Sequence, residues 1–299
     1  MTDPLPMRFF RVTVTRVNDI TPSFRRVTFT GDDIDEYGDP GFDQRVKIVF
    51  PTPTAPLEAM PMGTDWYTEY RNMEASLRPV FRTYTTRAVR KGEVDIDMVR
   101  HAVDGPASEW IDTVEPGDEV LILGPTVHSN GNMGVDFVPP AHIDDLLLVG
   151  DETAAPAIAV ILEQLPRDAR GVVVLEVPDD RDCAYLPAHP GFQIHAMGRG
   201  STPRHAQLTA AVERHAAALC PDGRGSDVEE IDIDRDILWE VPRTAKGGAA
   251  LKSAPLYAWV AGEASAVKLI RRHLVREIGI DRRAVAFMGY WREGRAEGQ

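Results

Sequence analysis

The chain has 299 residues, a formal net charge of -13 from 33 Lys and Arg against 46 Asp and Glu, and cysteine only at Cys183 and Cys220. That length supports two ordinary domains, each with its own core. The acidic balance argues against binding to nucleic-acid backbones or anionic membranes, and two cysteines exclude a disulfide framework, a cysteine-ligated iron–sulfur cluster and a Cys-rich zinc site.

The first residues, Met1-Thr2-Asp3-Pro4, lack a basic-then-apolar signal, and no apolar run reaches the ~18 residues of a membrane helix, so a cytoplasmic protein without membrane insertion is expected. From residue 8 onward, β-branched and aromatic residues come in six short runs separated by turn residues: Phe9 to Val17, Arg25 to Thr30, Arg45 to Phe50, Val80 to Val89, Val94 to Arg100 and Glu119 to Leu123. Lys91-Gly92 and Pro116-Gly117-Asp118 supply tight turns, and strands this short and close predict a small antiparallel barrel. After residue 145 the rhythm changes. Leu146 to Val149 reads as a buried strand, followed by a helix capped by Thr153 with Ile158, Ile161, Leu162 and Leu165 on its apolar face. Val172 to Val177 is a second strand, a helix presents Leu208, Val212, Ala216 and Leu219, and Leu256 to Ala261 is a third strand. A last helix carries Val267, Ile270, Leu274 and Ile278, stops at Gly279 and leads into the strand Ala284 to Met288. Such alternation predicts a parallel sheet. The Pro-rich stretch Pro51 to Pro79 and the acidic stretch Asp222 to Asp236 fit neither rhythm and read as loops, either mobile insertions or binding elements. The predicted domains are residues 1–140 and 141–299.

Four constellations could carry chemistry. Arg82-Thr83-Tyr84-Thr85, followed by Arg87, lies on the fourth strand, where alternation sets Arg82 and Tyr84 on one face. A guanidinium beside an aromatic ring suits phosphate and a flavin; the alternative is an ordinary amphipathic strand. Gly105-Pro106-Ala107-Ser108 opens a short helix, where small residues let a pyrophosphate approach backbone N–H groups; the alternative is a turn with a serine cap. Gly150-Asp151-Glu152-Thr153-Ala154 follows a buried strand at the place where dinucleotides sit in open α/β sheets, without the usual glycine fingerprint and with two acids that repel phosphate unless they turn away or meet ribose. Ala261-Gly262-Glu263 and Gly289-Tyr290-Trp291-Arg292 should reach the same sheet edge; for Tyr290 and Trp291 the alternative is a hydrophobic plug.

In this order the signals resemble the siderophore-interacting protein family of ferredoxin reductase-like flavoproteins. The resemblance covers nearly the whole chain. It rests on Val46-Lys47, Arg82-x-Tyr84-Thr85-x-Arg87, Gly105 to Ser108, Gly150 to Ala157, Ala261-Gly262-Glu263 and Gly289-Tyr290-Trp291-Arg292-x-Gly294. It implies a six-stranded antiparallel Greek-key β-barrel that binds FAD, a following parallel-sheet α/β nucleotide-binding domain, NADPH or NADH as donor, and a ferric siderophore as substrate. It further implies flavin contacts from Arg82, Tyr84 and Thr85, with Arg87 and His101 nearby and the pyrophosphate on Gly105, Pro106, Ala107 and Ser108. Asp151, Glu152, Thr153, Ala154 and Trp291 would border the nicotinamide nucleotide, and Tyr84 and Glu263 would be the catalytic pair at the reacting ring. Lys47 and Arg292 would form a basic substrate pocket. The chain departs from the family at Gly124-Pro125-Thr126, where relatives often carry arginine after the proline. A monomer is expected, with no protein-held metal. NADPH is the preferred donor if Arg199 clamps a 2′-phosphate, but Arg199 reads equally as a solvated loop residue. Two other readings stay open: a general flavin or chelate reductase, and a non-catalytic siderophore binder.

Overall fold

A computed structural model describes residues 5–100, 105–129, 133–140, 143, 145–219, 238–242 and 256–295. The chain separates into two compact units, residues 1–135 and the chain from Asp136 onward.

The first unit is a closed barrel of β1 (Met7–Asp19), β2 (Phe24–Thr30), β3 (Arg45–Phe50), β4 (Val80–Arg90), β5 (Glu93–Val99) and β6 (Glu119–Pro125). Its order, β1-β2-β5-β4-β3-β6, joins the β1–β2 hairpin to the β3–β4–β5 meander, and the meander to β6, by connections that skip neighbours, which is the Greek key. All six expected strands are present. Alternation supplies the interior: Phe10, Val12 and Val14 of β1 meet Val27 and Phe29 of β2 and Val46, Ile48 and Phe50 of β3. β1 pairs with β6 through Met7 to Thr13 and with β2 through Thr13 to Asp19, and its register shifts between Val14 and Arg16, just past the point where the two pairings meet.

Pro51 to Pro79, expected as a loop, is a built cover. Leu57, Met60 and Tyr70 pack on Phe9, Val49, Phe81 and Leu121, the outward-facing residues of one barrel side. Tyr70 belongs to a short helix, α1 (Trp66–Asn72), and its hydroxyl donates to the Pro79 carbonyl at 3.1 Å. The prolines hid this helix, whose single turns of apolar sequence are too short to show a period.

In the second unit the sheet order is β10-β12-β11-β7-β8-β9, with ranges β7 (Asp145–Gly150), β8 (Arg170–Val177), β9 (Phe192–Gly198), β10 (Trp239–Glu240), β11 (Leu256–Glu263) and β12 (Val285–Trp291). Five strands are parallel, and β10 adds an antiparallel edge on β12. Two strands were not expected: β9 is half-exposed at an edge and lacks an apolar run, and β10 has two residues. The acidic stretch Asp222 to Asp236 lies outside the described residues.

Among the described residues, the α-helices of this unit are α3 (Ala155–Gln164), α4 (Ala206–Leu219) and α5 (Ala264–Arg272). Leu208 and Val212 of α4 and Val267 and Ile270 of α5 share one core with Val149, Val174 and Val260 of the sheet. Beyond α5 the last turn widens, Ile278 N–H donating to the His273 carbonyl at 3.0 Å, before Gly279 ends it at φ 83°. The crossover through α3 leads from β7 to β8 and that through α5 from β11 to β12, in opposite directions across the sheet. The switch point therefore falls between β7 and β11, the crevice where open α/β sheets bind ligands. No helix among the described residues is long and apolar enough to cross a membrane.

Candidate functional site

Register settles the faces of β4. Arg82 pairs with Ile48 and Tyr84 with Val46, so both stand on the side of the barrel interior, whereas Thr83 pairs with Lys47 on the other side. Tyr84 meets Phe50 edge-on at 6.2 Å, and Phe50 lies 5.1 Å from Trp110 of α2 (Pro106–Thr113). This aromatic chain packs the middle of α2, at Trp110, toward Tyr84. Gly105 is the N-cap of α2, without any side-chain cap, and Pro106 opens the helix. Ser108 does not cap. A Cβ added at Gly105 would meet nothing within 4 Å, so the approach to the N–H groups of Ala107 and Ser108 is open. Thr85 and its neighbour Thr86 are both buried, just before β4 shifts register between Thr86 and Ala88. Arg87 lies 3.4 Å from Asp97, which also takes a bidentate pair from Arg26 at 2.7 and 2.8 Å. His101 lies outside the described residues.

Lys47 donates to the Thr83 hydroxyl at 2.9 Å and stands 4.8 Å above the Phe81 ring. Thr126 occupies the position where arginine was expected. It is 4% exposed and its hydroxyl donates to the Leu5 carbonyl at 2.7 Å, so this residue pins the N-terminal segment. The preceding Gly124 is required by packing: a Cβ there would fall 2.4 Å from the Tyr37 ring.

At the carboxyl edge of the second unit, Gly150 pairs with Ala261 and Gly262 with Gly289, so the three predicted segments do end together. Thr153 does not cap α3, whose N-cap is Ala154 with no side-chain bond. Its N–H and hydroxyl donate instead to Oδ1 of Asp151, a local turn that competes with capping. The other oxygen of Asp151 accepts from the Glu263 N–H at 2.8 Å and from Trp291 Nε1 at 2.9 Å. One buried carboxylate thus ties the ends of β7, β11 and β12. Gly262 makes room for it, since a Cβ there would lie 2.7 Å from Oδ2. Burial and the neighbouring Glu152 push the Asp151 carboxyl above its ordinary value.

Glu152 is fully buried and accepts from Arg199 at 3.2 and 3.4 Å and from Arg204 at 2.8 Å. Burial acts to raise it, but Arg199 and Arg204 outweigh burial and hold the carboxyl below its ordinary value. Arg199 is therefore not a solvated loop residue. Glu263 caps α5, its carboxylate accepting from the N–H groups of Ser265 and Ala266 at 2.7 and 3.1 Å. It also accepts from the Glu293 N–H at 3.4 Å. Sequence reasoning missed His205, which sits at φ 65°, with both ring nitrogens buried and unbonded. Its ring lies 6.2 Å from that of Trp291, and Arg204 stacks on the same indole at 5.1 Å. No periodicity marks such a residue; its backbone conformation does. Arg204, His205, Thr209, Ser265, Leu269 and Arg292 line a cleft of about 490 Å³. Tyr290 turns away from it, stacking on Trp239 at 5.7 Å and meeting Trp259 edge-on.

A Greek-key barrel followed by a parallel α/β sheet defines the class of ferredoxin reductase-like flavoproteins. The ferredoxin reductase of carbazole 1,9a-dioxygenase superimposes with a TM-score of 0.59 at 14% identity over 96% of this chain and 70% of its own, a likeness of fold alone. Within that class the chain belongs to the siderophore-interacting protein family: the siderophore-interacting FAD-binding domain matches residues 13–129 and the siderophore-interacting protein domain residues 143–294. Among solved structures, the siderophore-interacting protein SipS from Aeromonas hydrophila is similar, with a TM-score of 0.69, 28% identity, and coverage of 98% of this chain and 95% of that one. Among curated relatives, the ferric vibriobactin reductase ViuB of Vibrio cholerae is 28% identical over 281 residues, 93% of this chain and 87% of its own.

Proposed function

We propose that this protein is a flavin-dependent ferric-siderophore reductase that draws electrons from a nicotinamide nucleotide and frees iron in the cytoplasm. The observation that carries the reading is the pairing of two features in one chain. One is the open, uncapped α2 start on the same barrel unit as Arg82 and Tyr84; the other is a dinucleotide-type crevice at the β7/β11 switch point. A carrier of siderophores would need neither. The similarity to ViuB supports the acceptor.

The residues fit FAD. Its pyrophosphate suits the uncapped N–H groups of Ala107 and Ser108 above the open side of Gly105, with the Arg82 guanidinium as counter-charge. Tyr84, braced by Phe50, offers a ring of fixed plane. Thr85, Arg87 and His101 are assigned to the same cofactor. When bound, the flavin supplies the exchange between a two-electron hydride donor and a one-electron iron acceptor. The chain's own contribution is orientation and electrostatics. For the nicotinamide nucleotide, backbone from Asp151 to Ala154 and the Trp291 indole border the crevice, while the carboxylates of Asp151 and Glu152 face inward and hold its walls. Glu263 positions α5 through its cap, so its part in catalysis is placement of that helix. Lys47 and Arg292 offset the charge of an anionic chelate. Oxygen-rich chelators hold iron(III) far more tightly than iron(II), so reduction loosens the metal.

The test is an anaerobic titration of the FAD-loaded protein. Bleaching of the flavin by a nicotinamide, recovery on adding a ferric siderophore, and ferrous iron captured by a chromogenic chelator are the expected results. Loss of flavin during purification and reloading would refute the reading.

A further inference from the structure

Four charged side chains meet where β7, β8 and β9 end. Glu152 follows β7, Glu176 is the penultimate residue of β8, Arg199 follows β9, and Arg204 leads into α4. Both carboxylates are fully buried. Glu152 takes Arg199 and Arg204, while Glu176 takes Arg199 at 3.4 Å and the N–H groups of His205 and Leu208 at 2.8 and 3.2 Å. The start of α4 is thereby already occupied by an anion of the protein. The side chain of Arg199 is 12% exposed and that of Arg204 30%, so Arg204 alone of the two presents much surface to the cleft. Across the cleft, Arg292 is accompanied by Glu263 and Glu293.

In open α/β sheets the choice between dinucleotides turns on charge at this edge: an arginine receives a 2′-phosphate, whereas a carboxylate favours a free ribose hydroxyl. Here both arginines are neutralised one for one by buried carboxylates. A 2′-phosphate carries close to two negative charges and at Arg204 would have to share a guanidinium whose Nη1 is already bonded to buried Glu152 and whose charge that carboxylate offsets, with two further acids, Glu263 and Glu293, lining the same cleft. We infer that the nicotinamide donor of this protein is one without a 2′-phosphate, NADH rather than NADPH, and that Glu152 enforces the choice by holding Arg199 and Arg204. The inference rests on the proposed use of a nicotinamide nucleotide and reverses the donor preference drawn from Arg199 in the sequence.

Equilibrium binding, read without turnover, tests it. NAD⁺ and NADP⁺ are titrated calorimetrically into the FAD-loaded protein, the Glu152→Gln variant and the Arg204→Ala variant, each checked by thermal melting. The wild type is expected to bind NAD⁺ at least tenfold more tightly than NADP⁺. Glu152→Gln should shrink that ratio by tenfold or more, because the freed guanidinium groups can then meet phosphate. Arg204→Ala should leave the wild-type ratio within about twofold and serves as the second readout if Glu152→Gln does not fold. Equal or tighter binding of NADP⁺ by the wild type, or a selective loss of NADP⁺ affinity in Arg204→Ala, overturns the inference while leaving the reductase reading intact. Binding of neither nucleotide removes the nicotinamide reading and the inference with it.

Discussion

Tyr84 and Gly262 show what one residue contributes. The Tyr84 ring meets Phe50 edge-on, and its proposed service to the flavin is that of an aromatic plate. Tyr84→Ala should weaken FAD binding about tenfold, on the order of 1.4 kcal/mol, with Tyr84→Phe close to wild type. Flavin fluorescence during equilibrium dialysis reads this directly, and unchanged retention in the alanine variant would remove Tyr84 from the site. Gly262 matters for space. At φ 147° and with a Cβ 2.7 Å from Asp151, Gly262→Ala must push apart the carboxylate that ties three strand ends. A loss of about 1–3 kcal/mol is expected in urea unfolding, and a loss below about 0.5 kcal/mol would show that the tie yields freely. The glycine itself was visible in the sequence, but its partner 111 positions earlier was not, because nothing local to either residue records the approach of β7 to β11.

The start of α5 shows what an element adds. Glu263 satisfies two N–H groups at the helix start, a task usually given to shorter polar side chains. Glu263→Gln retains an acceptor and should cost little, whereas Glu263→Ala should cost about 1 kcal/mol in a thermal melt. The two variants also separate placement from proton chemistry. If Glu263 acts only by positioning α5, Glu263→Gln keeps the shape of the pH–rate profile; a lost limb would assign it a proton. Elements also differ in how plainly the sequence announces them. The barrel strands and the buried strands β7, β8 and β11 stand out through period-two alternation or continuous apolar runs. β9 does not, because an edge strand buries too little of either face to need an apolar pattern. Likewise the cover over Phe9, Val49 and Phe81 reads as proline-rich loop, since its contacts come from isolated residues such as Leu57 and Tyr70.

At the scale of the molecule, many of the carboxylates are held by arginine. Asp19 beside Arg25 and Asp281 beside Arg283 lie below their ordinary values, Asp179 beside Arg181 is lowered to about 2, and Glu152 is lowered despite burial. An acid whose value is lower in the fold than in the unfolded chain stabilises above its unfolded value and loses that contribution as pH falls through the folded one. Stability should therefore be flat from neutral pH down to about 5 and fall steeply below the ordinary carboxylate values of 3.8 to 4.5. Asp151 works in the opposite sense, its contribution being greatest below 3.8 and lost as pH rises through its raised value, so it opposes that fall. Urea midpoints at pH 7, 5, 4 and 3 check the trend. Glu152→Gln should show a lower midpoint at pH 7 and a smaller fall on acidification, and an unchanged fall would deny the buried cluster any share.

The sequence by itself determined the two-unit order, the barrel strands and the glycine-marked sheet edge, because alternation, apolar runs and turn residues are local consequences of local chemistry. Only the tertiary structure decided where the charges go. Glu152, Glu176, Arg199 and Arg204 are scattered over some fifty positions and look like ordinary surface residues, yet the parallel sheet ends β7, β8 and β9 side by side and buries both acids. A buried carboxylate demands a partner, so the fold itself commits those arginines before any ligand arrives.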